Sequence, residues 1–326
     1  MFLLKILFYI ALPIASLIYF YFHKKFSYFE KRGIPHQKPK FPMGNLQGLG
    51  SKFTFFDIIH DIYKKFKDKD VIVGLYSVVT PIYLITDIEL AKNILIRDFN
   101  FFINRRGYVN EEDEPLTAHL FNLMDDKWKF LRNKLSPVFT SGKMKSMYYT
   151  ISDKGQNYLA IVDKAMRQNE SINIKEITNR FTVDIISSVA FGMNANTMND
   201  EHPELLRFFK EIFNAEGFSF AKMFFMMAFP KIAQKLKMKI FSKEMSDFFM
   251  NVVSNNIENR ERTNDNRHDF LNMLIQLKNK GSIDGEFSTE HRKITLNEAL
   301  AQSFVFYFGN LKMTLKILMI CSCKIS

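Results

Sequence analysis

Trp128-Lys129-Phe130-Leu131-Arg132, followed by Pro137 and by Phe139-Thr140-Ser141-Gly142-Lys143-Met144-Lys145, is the stretch on which the reading of this chain turns. Trp128 and Arg132 stand four residues apart, so on a helix they share a face. An indole N–H and a guanidinium projecting from one face make a donor pair suited to a carboxylate. The same pair also suits a surface stacking contact of cation over ring, and the residues alone leave both readings open.

Outward from this stretch the text is mostly helical. Phe56 to Tyr63 carries apolar residues at helical spacing, and Phe181 to Gly192 places Phe181, Ile185, Ile186, Val189 and Ala190 on one face, with Gly192 as a natural stop. Thr295-Leu296-Asn297-Glu298 fits a capping box opening an apolar helix from Ala299 to Phe308. Val71 to Tyr76 and Ile82 to Ile85 are rich in β-branched residues and flank Thr80-Pro81, which predicts a small hairpin. Asp87 is placed to cap the helix carrying Ala91, Ile94 and Leu95. The fold class expected is mainly α with a small β-sheet.

Apolar residues fill 47% of the 326 positions, and 35 of the aromatics are Phe, enough apolar surface to offset the entropy of ordering and to exclude a disordered chain. The formal charge of +11 is spread along the sequence, without zinc-finger spacing or an RNA-recognition signature, so no nucleic-acid partner is expected. The only cysteines, Cys321 and Cys323, lie in the last six residues, which excludes a disulfide framework and fits a body facing the cytosol. In such a body the sequon Asn169-Glu170-Ser171 stays unused; its use would support a secreted glycoprotein instead.

Residues 1–23 read as a transmembrane anchor. Ile6 to Phe22 is apolar or aromatic, broken by Pro13 and Ser16, and Lys5 is long enough to snorkel. Tyr19 and Tyr21 suit an interfacial belt, and the basic flank His23, Lys24, Lys25, Lys31, Arg32 places the body on the cytoplasmic side. A cleaved signal peptide fits less well, because bulky Phe20, Tyr21 and Phe22 stand where small residues belong. Residues 24–45, with Pro35, Pro39 and Pro42, form a basic, stiff hinge. The body follows over 46–310.

Several chemistries find no support. The seven histidines show no pair at metal-ligand spacing. Gly44 to Gly50 follows Pro42 rather than a buried strand and is not a dinucleotide fingerprint. Neither a nucleophile elbow nor a phosphate loop is present. No residue is assigned a catalytic or metal-ligating role.

Trp128 to Lys145 resembles the C-helix region of microsomal cytochromes P-450, and the resemblance covers nearly the whole chain. It implies that Trp128 and Arg132 donate to a haem propionate. Phe102-Ile103-Asn104-Arg105-Arg106-Gly107 resembles the segment supplying a further propionate arginine, with Arg105 the better match and Arg106 the alternative. Phe181 to Gly192 looks like the family's E helix, and Asp269-Phe270-Leu271 with Leu274 like the run before its long central helix. Glu114-Pro115-Leu116 with His119-Leu120-Phe121 resembles the insect detoxification branch, which has Asp where Glu114 stands. The resemblance implies a substrate pocket bordered by Leu116, Leu120, Phe121 and Phe304, and an access channel shaped by Phe218 to Phe229.

The resemblance fails near the end. Gly309-Asn310 stand near the Ala-Gly position of the central helix, but Lys312 and Met313 occupy the places of its acid and Thr, and Thr314 comes one position late. No Glu-x-x-Arg motif and no Phe-x-x-Gly loop leading to a Cys follow; Cys321 and Cys323 lack the accompanying glycines, and residues 311–326 read as an aberrant tail. The chain is thus expected to be the N-terminal portion of a cytochrome P-450. The family's activity is haem-dependent insertion of one oxygen atom from O2 into hydrophobic small molecules. The implied setting is the endoplasmic reticulum membrane, with an NADPH-cytochrome reductase and membrane lipid as partners. The alternative is a non-catalytic, membrane-bound truncated remnant or an incomplete gene model.

Overall fold

The computed structural model describes residues 2–105, 107–169, 171–199, 203–213, 222–223, 225–226, 229–284 and 292–307. Arg106, Glu170 of the sequon, most of the run from Phe218 to Phe229, and everything from Phe308 to Ser326 lie outside them. The chain separates into two compact units, Met1–Ile103 with Gly217–Phe229, and Asn104–Glu216 with Pro230–Ser326.

In the first unit, α1 (Phe2–Phe26) carries Pro13 inside it and ends on His23, Lys24 and Lys25, where cations favour the negative end of the helix dipole. The segment expected as an anchor, 1–23, is helical from Phe2, and the helix runs on to Phe26. Among the described residues, however, no helix is long and apolar enough to cross a membrane. The side chains of residues 1–8 and 10 lie outside the description. From residue 11 to Phe22 an α-helix rises only about 18 Å, against roughly 30 Å of hydrocarbon.

The hairpin forms as β1 (Ile72–Ser77) and β2 (Thr80–Ile85), antiparallel, with Ser77 opposite Thr80 and Ile72 opposite Ile85. Its turn is Val78-Val79 rather than the expected Thr80-Pro81, and Pro81 sits inside β2 opposite Tyr76. Val78 takes φ 55, an uncommon conformation for a β-branched residue, while both valines are buried. Burial decides the turn position against local preference. Among the described residues β2 pairs only with β1, which leaves Pro81 on an edge where a missing N–H is tolerated.

Helix α2 (Phe55–Phe66) begins at a capping box of Thr54 and Asp57 and packs Ile58 and Ile62 on Val73, Leu75 and Leu46. Asn45 fastens the hinge to the hairpin: its Oδ1 accepts from the Tyr76 N–H at 2.7 Å, and its Nδ2 donates to the Gln37 and Lys38 carbonyls at 3.1 and 3.0 Å. Phe29 lies fully buried against Tyr76 and Tyr83, over Gly74. Asp87 caps α3 (Ile88–Lys92) by accepting from the Leu90 N–H at 2.7 Å, as its position predicts.

The second unit is helical: α4 (Asp125–Leu135), α5 (Ser141–Arg167), α6 (Ile174–Phe191), α7 (Pro203–Phe213), α8 (Pro230–Lys235), α9 (Lys243–Thr263), α10 (Phe270–Asn279) and α11, helical over 296–307. Helix α6 starts seven residues before the expected Phe181 and stops at Gly192, whose φ of 66 makes a left-handed cap. It is buried on more than one face, and several of its polar positions are paired inside the protein. The Asp184 carboxylate accepts from both the N–H and the hydroxyl of Thr197, at 2.6 and 2.7 Å, and the Thr182 hydroxyl donates to the Thr178 carbonyl. Arg260 and Asp269 form a buried bidentate pair, both contacts 2.7 Å, which ties α9 to the start of α10. Thr295 and Glu298 make the expected capping box at the head of α11. From there Phe304 and Tyr307 enter an aromatic cluster with Phe191, Phe241 and Phe249, centroids 4.8–5.3 Å apart.

Candidate functional site

The segment from Asn104 to Met124 has little regular structure, and hydrogen bonds to its own and distant backbone hold it in place. Asn110 organises its turn: the backbone N–H donates to the Thr117 hydroxyl at 2.9 Å, and its side-chain oxygen accepts from the Asp113 N–H at 3.1 Å. The buried Glu114 carboxylate accepts from the backbone N–H groups of Ile240 and Phe241, at 2.9 and 2.7 Å. The Tyr108 hydroxyl donates to the Met238 carbonyl at 2.7 Å. Two distant stretches of the same unit are thus stitched together ahead of α9.

Two further locks set the ends. Asn104 and Asp125 exchange hydrogen bonds, Nδ2 to Oδ1 at 2.6 Å and backbone N–H to Oδ1 of Asn104 at 2.8 Å. The Leu120 N–H donates to Oε1 of Gln302 on α11 at 2.9 Å. The first lock seats Arg105 beside the start of α4. The second fixes Leu120 and Phe121 relative to the apolar helix.

Trp128 and Arg132 lie on α4 as the spacing predicts. Trp128 is buried, 9% exposed, while Arg132 is exposed. Arg105 is also exposed, and its guanidinium lies 5.5 Å from the ring centroid of Phe121, itself 62% exposed. Among the described residues neither Arg105 nor Arg132 forms an ion pair. Leu116 and Phe304 are each 1% exposed, Phe304 edge-on to Phe241 and Phe249, whereas Leu120 is half-buried. The structure therefore brings Arg105 together with Phe121, and Leu120 together with α11.

A cavity of about 750 Å³ opens elsewhere in this unit. It is lined by Val109 to Asp113, Leu123, Met124, Lys127, Gln234, Lys235 and Lys237. None of the residues expected at the site lines it. Lys127 bridges Glu111 at 2.8 Å and Lys237 bridges Asp113 at 3.4 Å, so most of its charges are matched internally.

The sequence marks His119 only by its place beside Leu120 and Phe121. In the structure burial pushes its imidazole down to about 4, opposed only by its own backbone, so the ring is neutral around pH 7. Its Nε2 faces Nδ2 of Asn122 at 3.2 Å. The long-range hydrogen bonds of Glu114 and Gln302 are invisible to local pattern, since their partners lie at separations that no periodicity encodes.

A family model described as cytochrome P450 matches residues 34–314. The chain is 38% identical over 296 residues to cytochrome P450 6A1 of Musca domestica, an overlap of 91% of this chain and 57% of that protein. It is 37% identical over 305 residues to cytochrome P450 6a8 of Drosophila melanogaster, 93% and 60% of the two chains. With cytochrome P450 6a2 of the same organism the identity is 35% over 320 residues, 97% and 63%. The chain spans about three-fifths of the length of these relatives.

Proposed function

The chain belongs to the cytochrome P450 family, and we propose that it forms part of a haem-dependent monooxygenase that inserts one oxygen atom from O2 into hydrophobic small molecules. The reading is supported by two exposed guanidiniums without an ion pair among the described residues, Arg132 on α4 with the buried Trp128, and Arg105 next to Asn104, which hydrogen-bonds Asp125 at the start of that helix. Such cations suit a planar group bearing two carboxylates, as haem does. The residues present fit the propionate edge. Cys321 and Cys323 lie outside the described residues, and no iron ligand is assigned.

Arg105, Trp128 and Arg132 would hold the propionates. Bound haem supplies the oxygen activation, which no side chain here provides. The protein's share is orientation and exclusion of water: Leu116, Leu120, Phe121 and Phe304 supply an apolar border, and Gln302 holds Leu120 against α11. Electrons come from an NADPH-cytochrome reductase in this reading. We place the protein at the endoplasmic reticulum membrane, body towards the cytosol, on the apolar α1 and its basic flank.

The test is reconstitution of the full chain with haem, reductase and an apolar substrate under 18O2. Reductase-dependent incorporation of one labelled atom supports the reading; a purified chain that never takes up haem overturns it for these 326 residues.

A further inference from the structure

Helix α5 packs on α6 and buries Met147, Lys154 and Ala165, but a second apolar stripe on the same helix meets solvent. Met144, Tyr148, Ile151, Leu159 and Met166 are between 38% and 69% exposed, and Val162 is half-buried. At 3.6 residues per turn these six fall within about 80° of arc, turned roughly 90° from the buried positions. The stripe runs for about 33 Å, whereas the outer face of a surface helix is ordinarily polar.

The spacing is symmetric. With Gly155 in the middle, the stripe steps by four, three, four, four, three and four residues, the same from either end. An antiparallel second copy related by a two-fold axis at Gly155 therefore sets Met144 against Met166, Tyr148 against Val162 and Ile151 against Leu159. Gly155 falls at the crossing, where two helices approach most closely. Within one chain it has no such reason to be there: glycine weakens a helix interior, and nothing among the described residues lies within 4 Å of the place of its Cβ. Charge follows the same symmetry. Lys145 and Asp163 are exposed, form no ion pair among the described residues, and border the stripe on one side. The two-fold brings Lys145 of each copy beside Asp163 of the other, two complementary pairs in one interface.

We propose that the outer face of α5 binds a second copy of this chain, antiparallel, with Gly155 at the two-fold axis. A lipid surface would accept the same apolar side chains, but it accounts neither for the palindromic spacing nor for a carboxylate beside the stripe.

The experiment is sedimentation equilibrium of the full chain in density-matched neutral detergent micelles. A dimer with a Kd on the order of 10 μM is expected. Leu159→Glu places a charge on the stripe at a position already more than half exposed, and should weaken the dimer at least about tenfold. Lys145→Glu should weaken it several-fold, and Lys145→Glu with Asp163→Lys, which exchanges the charges, should return it to within about twofold of the parent. Unchanged far-UV dichroism and unfolding midpoints show that the variants fold. A parent still monomeric at about 100 μM overturns the proposal, and if Leu159→Glu then lowers its binding to neutral phosphatidylcholine vesicles, the stripe belongs to lipid. A dimer indifferent to Leu159→Glu and to charge reversal overturns it as well, by placing the association elsewhere.

Discussion

The Leu120 N–H and the Gln302 side-chain oxygen meet at 2.9 Å across 182 positions of sequence, and this contact joins the irregular segment before α4 to the apolar helix α11. Gln302→Ala leaves a buried amide without its acceptor and should destabilise the unit by about 1–3 kcal/mol. Gln302→Met, which fills much of the same volume but offers the N–H no oxygen, should remain destabilised. Denaturant midpoints of the two variants against the parent decide it.

His119 makes stability depend on pH. Its folded pKa of about 4 lies below the ordinary 6.5, so between these values the unfolded chain takes up the proton first. The contribution is fully present above pH 6.5, declines as the pH falls and is lost below about 4; it amounts to at most about 3 kcal/mol. His119→Phe should flatten that part of the profile, as read from unfolding midpoints between pH 4 and 7.

Arg260 and Asp269 present a different case, because each neutralises the other inside the protein. Removing one partner, as in Arg260→Met or Asp269→Asn, should cost about 3–5 kcal/mol. The double substitution should cost clearly less than the sum of the two. A thermodynamic cycle returning simple additivity would contradict the pair as described.

Two glycines separate space from backbone freedom. A Cβ at Gly74 would sit 2.5 Å from Cγ of the fully buried Phe29, so Gly74→Ala should destabilise by about 1–3 kcal/mol. Gly155 lies inside α5 with nothing within 4 Å of such a Cβ, and Gly155→Ala should stabilise by up to about 1 kcal/mol. Opposite shifts in Tm are the expected result.

What the sequence made legible was local. The caps at Asp87, Thr295 and Gly192 reach their partners within a few residues, and the four-residue spacing of Trp128 and Arg132 lies within one helix. The hairpin was readable too, but its turn moved to Val78-Val79 because burying two valines outweighed the turn preference of Pro81. The hydrogen bonds from Ile240 and Phe241 to Glu114 and from Leu120 to Gln302 were not readable, since no periodicity connects residues more than a hundred positions apart. The anchor was legible as a helix, whereas crossing a membrane depends on an apolar length that the described residues do not reach.

The propionate-binding role of Arg105 and Arg132 is tested most directly by titrating the full chain with protoporphyrin IX and with its dimethyl ester, following porphyrin fluorescence. Guanidinium–carboxylate recognition predicts that the free acid binds about 10–100-fold more tightly than the ester, and that Arg105→Met with Arg132→Met removes the difference. Equal affinity for acid and ester, unchanged by the double substitution, would contradict it.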